Sequence, residues 1–142
     1  DQGQREIGVR IKLNPIQEVV AGKRIVMIDD SIVRGTTSRR IVQSLKAAGA
    51  KEVHMRVSSP PVMYPCFFGI DTPSRKQLVA SNNTIDQIRG LVSADSLGFL
   101  SIEGLLKTPV GSRLNFCDAC FAGKYPMEVP EECNKNSCGG CG

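Results

Sequence analysis

The sequence lacks the features that mark exported, membrane-spanning and nucleic-acid-binding proteins. Its first residues do not combine a charged region, an apolar segment and a small-residue cleavage site, so no signal peptide is predicted. Its longest apolar stretches, such as the one around Arg24–Ile28, fall far below the roughly 20 residues that a membrane span needs. The 18 Lys and Arg residues are scattered among 14 Asp and Glu, and no basic run is interleaved with aromatics. We therefore expect a cytoplasmic protein that binds neither membranes nor nucleic acid.

The lack of two glycine motifs and the presence of only one histidine restrict the possible classes of function. The glycine patterns of the P-loop and of the dinucleotide-binding fold are both absent. The chain has a single histidine, His54, which lies between Val53 and Met55 in an apolar segment. A solvent-facing or hydrogen-bonded structural histidine is favoured there over a catalytic one.

The residue pattern that is present predicts an α/β fold. With 142 residues, 41% of them apolar, the chain is long enough for one globular domain with a core. Arg24–Ile28 is a continuous apolar run, typical of a strand buried on both faces of a parallel sheet. A helix is predicted over Ser38–Ala48 and a second strand over Glu52–Ser58. Together these segments form a strand, loop, helix, strand unit with a crossover connection.

The remaining segments are shorter. A strand is predicted over Val9–Leu13, and short helices over Ser74–Ala80, Thr84–Val92 and Ser101–Lys107. Two or three strands are few for a sheet of this type, and the chain does not begin with Met. We therefore expect a fragment of a longer chain, with residues 1–108 forming part of one domain and residues 109–142 forming a loop-rich, cysteine-containing tail.

The loop after the first buried strand has the composition of a phosphosugar site. Asp29 and Asp30 follow that strand at the carboxyl edge of the predicted sheet, where open α/β folds bind ligands. The segment Gly35–Ser38 opens the next helix, and its backbone N–H groups and hydroxyls suit a phosphate. The carboxylates would instead meet ribose hydroxyls or Mg²⁺. In the alternative interpretation, Asp29 and Asp30 only turn the chain and Thr36 or Thr37 only caps the helix. This structural interpretation does not account for the whole segment.

These residues resemble a known family. Val26–Ser38 is similar to the phosphoribosyl pyrophosphate (PRPP) signature of type I phosphoribosyltransferases, in the version found in glutamine PRPP amidotransferases. The resemblance continues through Val9–Pro15, Ser58–Ala80, Ser93–Lys107 and Asn115–Pro126. It implies that the chain is the carboxy-terminal part of such an enzyme, of the bacterial iron-sulfur class. The implied fold is a parallel sheet with flanking helices, of which this chain contains only a part.

The resemblance also assigns roles in the loop. Asp29 and Asp30 are expected to bind the ribose hydroxyls and Mg²⁺. The implied PRPP-binding residues are Asp29, Asp30, Ser31, Ile32, Val33, Arg34, Gly35, Thr36 and Thr37. Arg34 lies within the loop and could help to neutralise phosphate or pyrophosphate.

Six cysteines suggest disulfides, a metal site or redox chemistry. Disulfides are disfavoured because no secretory signal is predicted. Cys117 and Cys120 have a spacing that lets two thiolates reach one metal centre. Cys66, beside two phenylalanines, taken alone is more typical of a buried apolar thiol.

The family resemblance changes the interpretation of Cys66. In the iron-sulfur amidotransferases, the segments around Cys66 and around Cys117 and Cys120 resemble those that hold cluster ligands. These three cysteines would be three of the four thiolates of a 4Fe-4S cluster, with the fourth upstream in the parent chain. Cys133, Cys138 and Cys141 lie in an unmatched glycine-rich tail and are expected to be bystanders, although a substitute ligand or a separate zinc site stays open.

The resemblance implies an enzyme that forms 5-phosphoribosylamine from PRPP and ammonia, the first step of de novo purine synthesis. Ammonia would come from glutamine in a glutaminase domain of the same parent chain, the enzyme would be a homo-oligomer, and this fragment alone would be inactive. Two other classes stay open: a non-catalytic PRPP-binding regulator with the same fold, and a structural cysteine module. The PRPP-like loop argues against the second.

Overall fold

A parallel three-stranded sheet forms the centre of the structure. The computed structural model describes residues 15–112 and 114–129. The strands are β1 (Arg24–Asp29), β2 (Glu52–Val57) and β3 (Ser96–Phe99). They lie in the order β1-β2-β3, with Ile25 opposite Val53 and Met55 opposite Leu97. Each strand is thus a neighbour in space of the next strand in sequence.

Six helices accompany these strands in the part of the chain that the structure describes. They are α1 (Gln17–Val20), α2 (Thr36–Ala47), α3 (Val79–Asn82), α4 (Ile85–Val92), α5 (Ile102–Leu106) and α6 (Ala119–Ala122), with a 3₁₀ turn at Arg75–Gln77. Helix α4 begins with a capping box, in which Thr84 and Gln87 satisfy each other's backbone N–H groups. None of the described helices is long and apolar enough to cross a membrane.

The core lies between one face of the sheet and the two longest helices. Strand β2 contributes the alternating residues Val53, Met55 and Val57, all of them buried. Val42 of α2 and Val92 of α4 pack into the same cluster. Burial of an aliphatic side chain of this size stabilises a fold by about 1.5–3 kcal/mol, so this face holds the sheet and the helices together.

The opposite face of the sheet is open, which differs from the prediction for β1. Val26 and Ile28 of β1 are 62% and 75% exposed, whereas Ile25 and Met27 are partly buried, so the described residues cover only one face of the strand. The prediction was wrong because α2 and α4 both pack on the other face. On β2, this open face presents His54, whose Nδ1 lies 2.9 Å from Ser96 Oγ and whose Nε2 lies 2.9 Å from Glu52 Oε2.

Most predicted elements are confirmed within a few residues, while one strand was missed. The predicted helix over Ser38–Ala48 begins two residues earlier, at Thr36. Strand β3 was not predicted, because it has four residues and one of them is Gly98. A Cβ at Gly98 would lie 3.3 Å from Arg56 Cδ, so the glycine leaves room for that side chain. The predicted strand over Val9–Leu13 lies outside the described residues, and the division at residue 108 stays a prediction.

Candidate phosphosugar site and cysteine loop

The loop that follows β1 is held by its own carboxylates. Asp29 Oδ1 accepts a hydrogen bond from the Asp30 backbone N–H at 3.0 Å, and Asp29 Oδ2 accepts one from Ser38 Oγ at 3.4 Å. Asp30 Oδ1 accepts from the Ser31 backbone N–H at 2.7 Å. Asp29 therefore ties the end of the strand to the first turn of α2, while Asp30 shapes the bend between them.

The amino-terminal end of α2 has the backbone geometry of an anion site. Gly35 precedes the helix with φ of +79°, a left-handed conformation that glycine adopts readily. Glycine has no side chain that could cap the helix, and the first N–H groups of a helix have no partner within the helix itself. Thr36 and Thr37 are exposed beside these N–H groups. Together with the helix dipole, the N–H groups and hydroxyls suit a phosphate.

One predicted loop residue has a structural position instead. The Ile32 side chain is 1% exposed and belongs to the hydrophobic core. The Val33 backbone carbonyl accepts a hydrogen bond from the Val79 N–H at 2.9 Å. These two contacts anchor the middle of the loop to the body of the domain, so its polar residues are presented from a fixed backbone.

The remaining predicted loop residues line a single cavity of about 750 Å³. Its first wall is formed by residues 29–31 and 33–38. Its second wall, formed by residues 71–74 and Gln77, was not predicted to belong to the site. The signal for it was weak, since a carboxylate and two hydroxyls around a proline are also typical of an irregular surface segment.

The two walls are joined at Arg34. The Arg34 Nη2 donates to Gln77 Oε1 at 3.0 Å across the cavity. Arg34 therefore lines the same cavity as the two aspartates, while its role in binding stays a prediction. The cavity combines an acidic pair, a cation and an open helix terminus.

The acidic pair suits a hard cation as well as sugar hydroxyls. Carboxylate oxygens are the ligands that Mg²⁺ prefers, and it usually keeps several waters and a substrate phosphate. Asp30 is exposed at the cavity, and each aspartate uses only part of its oxygen capacity to hold the loop. The chemistry of these donors fits Mg²⁺.

The tail packs against the loop around Cys66. The Met63 and Tyr64 N–H groups both donate to the Cys120 carbonyl, at 2.9 and 3.0 Å. The Tyr125 hydroxyl donates to the Pro65 carbonyl at 2.7 Å, next to Cys66. Helix α6 thereby brings the Cys120 segment onto the Cys66 loop, although the two are far apart in sequence.

Two other cysteines lie close enough to Cys120 to affect its thiol. Burial raises the pKa of the Cys120 thiol, and nearby Cys66, Cys117 and Asp118 raise this pKa further. A thiol in these surroundings favours its neutral form until a cation binds, because metal ligation requires the thiolate. Cys66 and Cys120 are partly buried, whereas Cys117 is exposed.

A complete metal site is not assembled by the described residues alone. Within residues 15–112 and 114–129, no three His, Cys, Asp or Glu side chains form a group that could hold a metal ion. Three cysteines are also one thiolate short of a 4Fe-4S ligand set. Cys133, Cys138 and Cys141 lie outside the described residues.

The cysteine loop and the cavity share one residue. The Thr72 Oγ1 accepts a hydrogen bond from the Cys66 N–H at 2.6 Å, and Thr72 is buried in the second wall of the cavity. The loop of residues 66–72 is therefore closed by this hydrogen bond. Cys66 and the second wall of the cavity therefore belong to one continuous segment.

Comparison with known proteins gives consistent relatives, although no family model matches the chain. The chain is 56% identical over 130 residues to an amidophosphoribosyltransferase of Synechocystis, which covers 92% of this chain and 26% of the relative. It is 54% identical over 136 residues to the amidophosphoribosyltransferase of Bacillus subtilis, covering 92% of this chain and 28% of the relative. The chain thus spans about a quarter of the length of these relatives.

A solved structure agrees with both the sequence and the fold. The B. subtilis glutamine PRPP amidotransferase, complexed with ADP and GMP, superposes with a TM-score of 0.79 at 53% identity. The match covers 93% of this chain and 30% of that structure. The parallel sheet with its flanking helices is therefore the type I phosphoribosyltransferase fold of these enzymes. Over the segment that it spans, the chain belongs to the amidophosphoribosyltransferase family.

Proposed function

We propose that the protein containing this chain forms 5-phosphoribosylamine from PRPP and glutamine-derived ammonia, the first step of de novo purine synthesis. The observation that carries this proposal is the cavity of about 750 Å³ in which an acidic pair faces an open helix terminus. A ligand with a phosphate at one end and a diol at the other matches both groups. The named relatives support the same reaction.

In this proposal, positively polarised groups of the site bind the phosphate, and its carboxylates bind the ribose. The first turn of α2, from Gly35 to Ser38, would hold the 5′-phosphate through N–H groups and hydroxyls. Asp29 and Asp30 would orient the ribose hydroxyls and stabilise positive charge that develops at C1 as pyrophosphate leaves. Mg²⁺, when bound with PRPP, would offset the charge of the leaving pyrophosphate. Positioning and electrostatics therefore account for the protein's part in the reaction.

We assign ammonia supply to a glutaminase domain elsewhere in the parent chain. The support is that this chain spans only about a quarter of the length of its relatives. The homo-oligomeric state and the cytoplasmic location remain predictions.

The cysteines suggest a second component, a 4Fe-4S cluster held by Cys66, Cys117 and Cys120 with a fourth thiolate upstream. The support is the packing of the Cys120 segment onto the Cys66 loop, together with the proximity of Cys66 and Cys117 to the Cys120 thiol.

The acidic pair provides the test of the main proposal. In the full-length protein, Asp29→Asn and Asp30→Asn are each expected to abolish or nearly abolish ammonia-dependent phosphoribosylamine formation while glutaminase activity survives. Removal of one charged contact to the ligand costs about 1.5–3 kcal/mol or more, which is at least tenfold in rate. The matched control is Asp86→Asn, an aspartate on α4 that is 91% exposed and outside the cavity.

Two outcomes would contradict the proposal. Near wild-type transfer in both variants would remove the loop from the mechanism. A wild-type full-length protein that binds PRPP but never transfers it would instead support the alternative, a non-catalytic PRPP-binding regulator.

A further inference from the structure

We propose that Gln77 is a positioning residue for PRPP binding, which it assists by holding the Arg34 guanidinium over the cavity. This inference rests on the proposed function and extends it to the second wall of the site. The observation behind it is the hydrogen bond from Arg34 Nη2 to Gln77 Oε1, 3.0 Å long, between two side chains that line the same cavity.

Gln77 stands on a rigid part of the second wall. Its own N–H donates to the Ser74 carbonyl at 2.8 Å, which closes the 3₁₀ turn. The next residue, Leu78, is completely buried, and the following N–H, that of Val79, donates to the Val33 carbonyl at 2.9 Å. Two hydrogen bonds, one from a side chain and one from the backbone, therefore connect adjacent loop residues 33 and 34 to residues 77–79.

Restraint of this kind matters for a long, exposed cation. Arg34 is exposed, so an unrestrained guanidinium would sample many rotamers and lose that freedom when an anion binds. The hydrogen bond to Gln77 uses one of the five N–H donors of the guanidinium. The remaining donors keep the planar fork that suits phosphate and pyrophosphate oxygens.

The amide of Gln77 is the right acceptor for this purpose. An amide oxygen accepts the hydrogen bond without bringing a negative charge beside the guanidinium. A carboxylate at the same position would hold Arg34 equally well, but it would offset the positive charge and repel an anionic ligand. Substitutions of Gln77 should therefore separate two effects on Arg34: the restraint of its side chain and the neutralisation of its positive charge.

The experiment uses the full-length protein with PRPP as the ligand. Gln77→Ala is expected to raise the KM for PRPP by roughly three- to tenfold, as the loss of one such hydrogen bond implies, while kcat changes by less than about twofold. Gln77→Glu is expected to raise the KM further, and this extra rise should shrink at high ionic strength because salt screens the repulsion.

A double-mutant cycle makes the test specific. In an Arg34→Ala background, Gln77→Ala should have no further effect on the KM, because the side chain that it positions is gone. The matched control is Gln43→Ala, an exposed glutamine on α2 away from the cavity, which should leave the KM unchanged. Thermal unfolding of each variant checks that the exposed substitutions leave the fold intact.

The outcomes separate this inference from the function on which it rests. Additive effects of the two alanine substitutions, or an unchanged KM in Gln77→Ala, would overturn the positioning role while PRPP turnover by the wild type upholds the function. A wild-type protein that does not bind PRPP would overturn the proposed function, and the inference with it.

Discussion

Two glycines, one just before a helix and one within a helix, differ in what a side chain at their position would meet. Gly35 has φ of +79°, and a Cβ there would meet Val92 Cγ1 at 3.6 Å, an ordinary contact. The obstacle to a side chain at Gly35 is therefore the backbone conformation and not space. Gly90 lies within α4 with nothing within 4 Å of its added Cβ, and its φ is negative.

We expect opposite results from the same substitution at these positions. Gly35→Ala should destabilise the protein by about 1–2 kcal/mol, the cost of the left-handed conformation for a residue with Cβ, and should weaken PRPP binding. Gly90→Ala should stabilise it by up to about 1 kcal/mol, since alanine favours a helix interior. Thermal unfolding and PRPP affinity measure both effects. Unchanged stability and affinity in Gly35→Ala would show that the loop does not need this conformation.

Asp95 provides a pH-dependent contact between β2, β3 and α2. The Val53 N–H donates to its Oδ2 at 2.7 Å, and Lys46 Nζ lies 3.1 Å from the same oxygen. The hydrogen bond from Val53, followed by that from Lys46, lowers the pKa of the Asp95 carboxyl below its ordinary value of 3.8. A lowered pKa means that the charged form stabilises the fold above pH 3.8 and that this stabilisation disappears as the pH falls through the folded-state pKa.

Asp95→Asn should therefore destabilise the protein at pH 7 and have little effect near pH 2. The expected difference at pH 7 is about 1 kcal/mol, kept small by solvent screening because a third of the side chain is exposed. Denaturant unfolding of both proteins at several pH values measures it, with Asp86→Asn as the exposed control. A difference that stays constant between pH 7 and pH 2 would contradict the role of the charge.

At the scale of elements, the contact between the tail and the Cys66 loop depends on close packing. Gly123 ends α6 with φ of +75°, and a Cβ there would lie 2.7 Å from Tyr64 Cζ. The Tyr125 ring meets the Phe67 ring edge-on, with centroids 5.3 Å apart. Burial raises the pKa of the Tyr125 hydroxyl, which donates to the Pro65 carbonyl. The tail therefore fits the loop through shape as well as hydrogen bonds.

If the proposed cluster is present, Cys66, Cys117 and Cys120 should all be needed to hold it, although Cys66 is far from the other two in sequence. The full-length protein prepared without oxygen should be brown, with iron and sulfide in near-equal amounts. Cys66→Ser should lose the colour as completely as Cys117→Ser or Cys120→Ser, because a cluster that lacks one thiolate is poorly held. Iron and sulfide analysis measures this result.

Serine substitutions at Cys133, Cys138 and Cys141 are the matched controls and should keep the colour. A zinc site would instead give a colourless protein that contains zinc without sulfide. Colour that survives Cys66→Ser but is lost when the last three cysteines are changed would reverse the ligand assignment.

The sequence predicted the elements that have a strong local signal and missed those that depend on tertiary contact. The unit from β1 to β2 was predictable because its apolar residues recur with clear strand and helix spacing, and the loop between them has a distinctive run of acidic and hydroxyl residues. The second wall of the cavity was not predictable, because it reaches the loop through Gln77, 43 residues away from Arg34. The burial of Ile32, in the middle of a polar loop, likewise depends on α4 and β2.

At the scale of the whole molecule, the open face of the sheet determines how the chain is expected to associate with other copies. Val26 and Ile28 of β1 are exposed, and in the α1 region Val19 and Ile16 are 56% and 64% exposed. Among the described residues, β1 also pairs with β2 alone and forms one edge of the sheet. Exposed apolar faces and strand edges promote association between chains.

The 142-residue chain expressed alone is therefore expected to self-associate, to lack glutamine-dependent activity and to bind PRPP weakly. Val26→Thr together with Ile28→Thr should reduce the association, because these changes remove exposed apolar surface from β1. Light scattering after size-exclusion chromatography measures the effect, and Val110→Thr, at a residue that is 94% exposed in the tail, is the control. A monomeric wild-type chain with robust turnover would contradict this expectation.

The strand order also has a kinetic consequence. Partners across β1 and β2 are 28 residues apart in sequence, and partners across β2 and β3 are 42 apart, whereas Tyr125 meets Pro65 across 60 residues. Closing the longest loop costs the most chain entropy, so contacts that close shorter loops are favoured to form earlier. The sheet should therefore form first and the tail should dock last. Any group held jointly by Cys66 and Cys120 would then be acquired at the end of folding, and its loss would release the tail while the sheet stays folded.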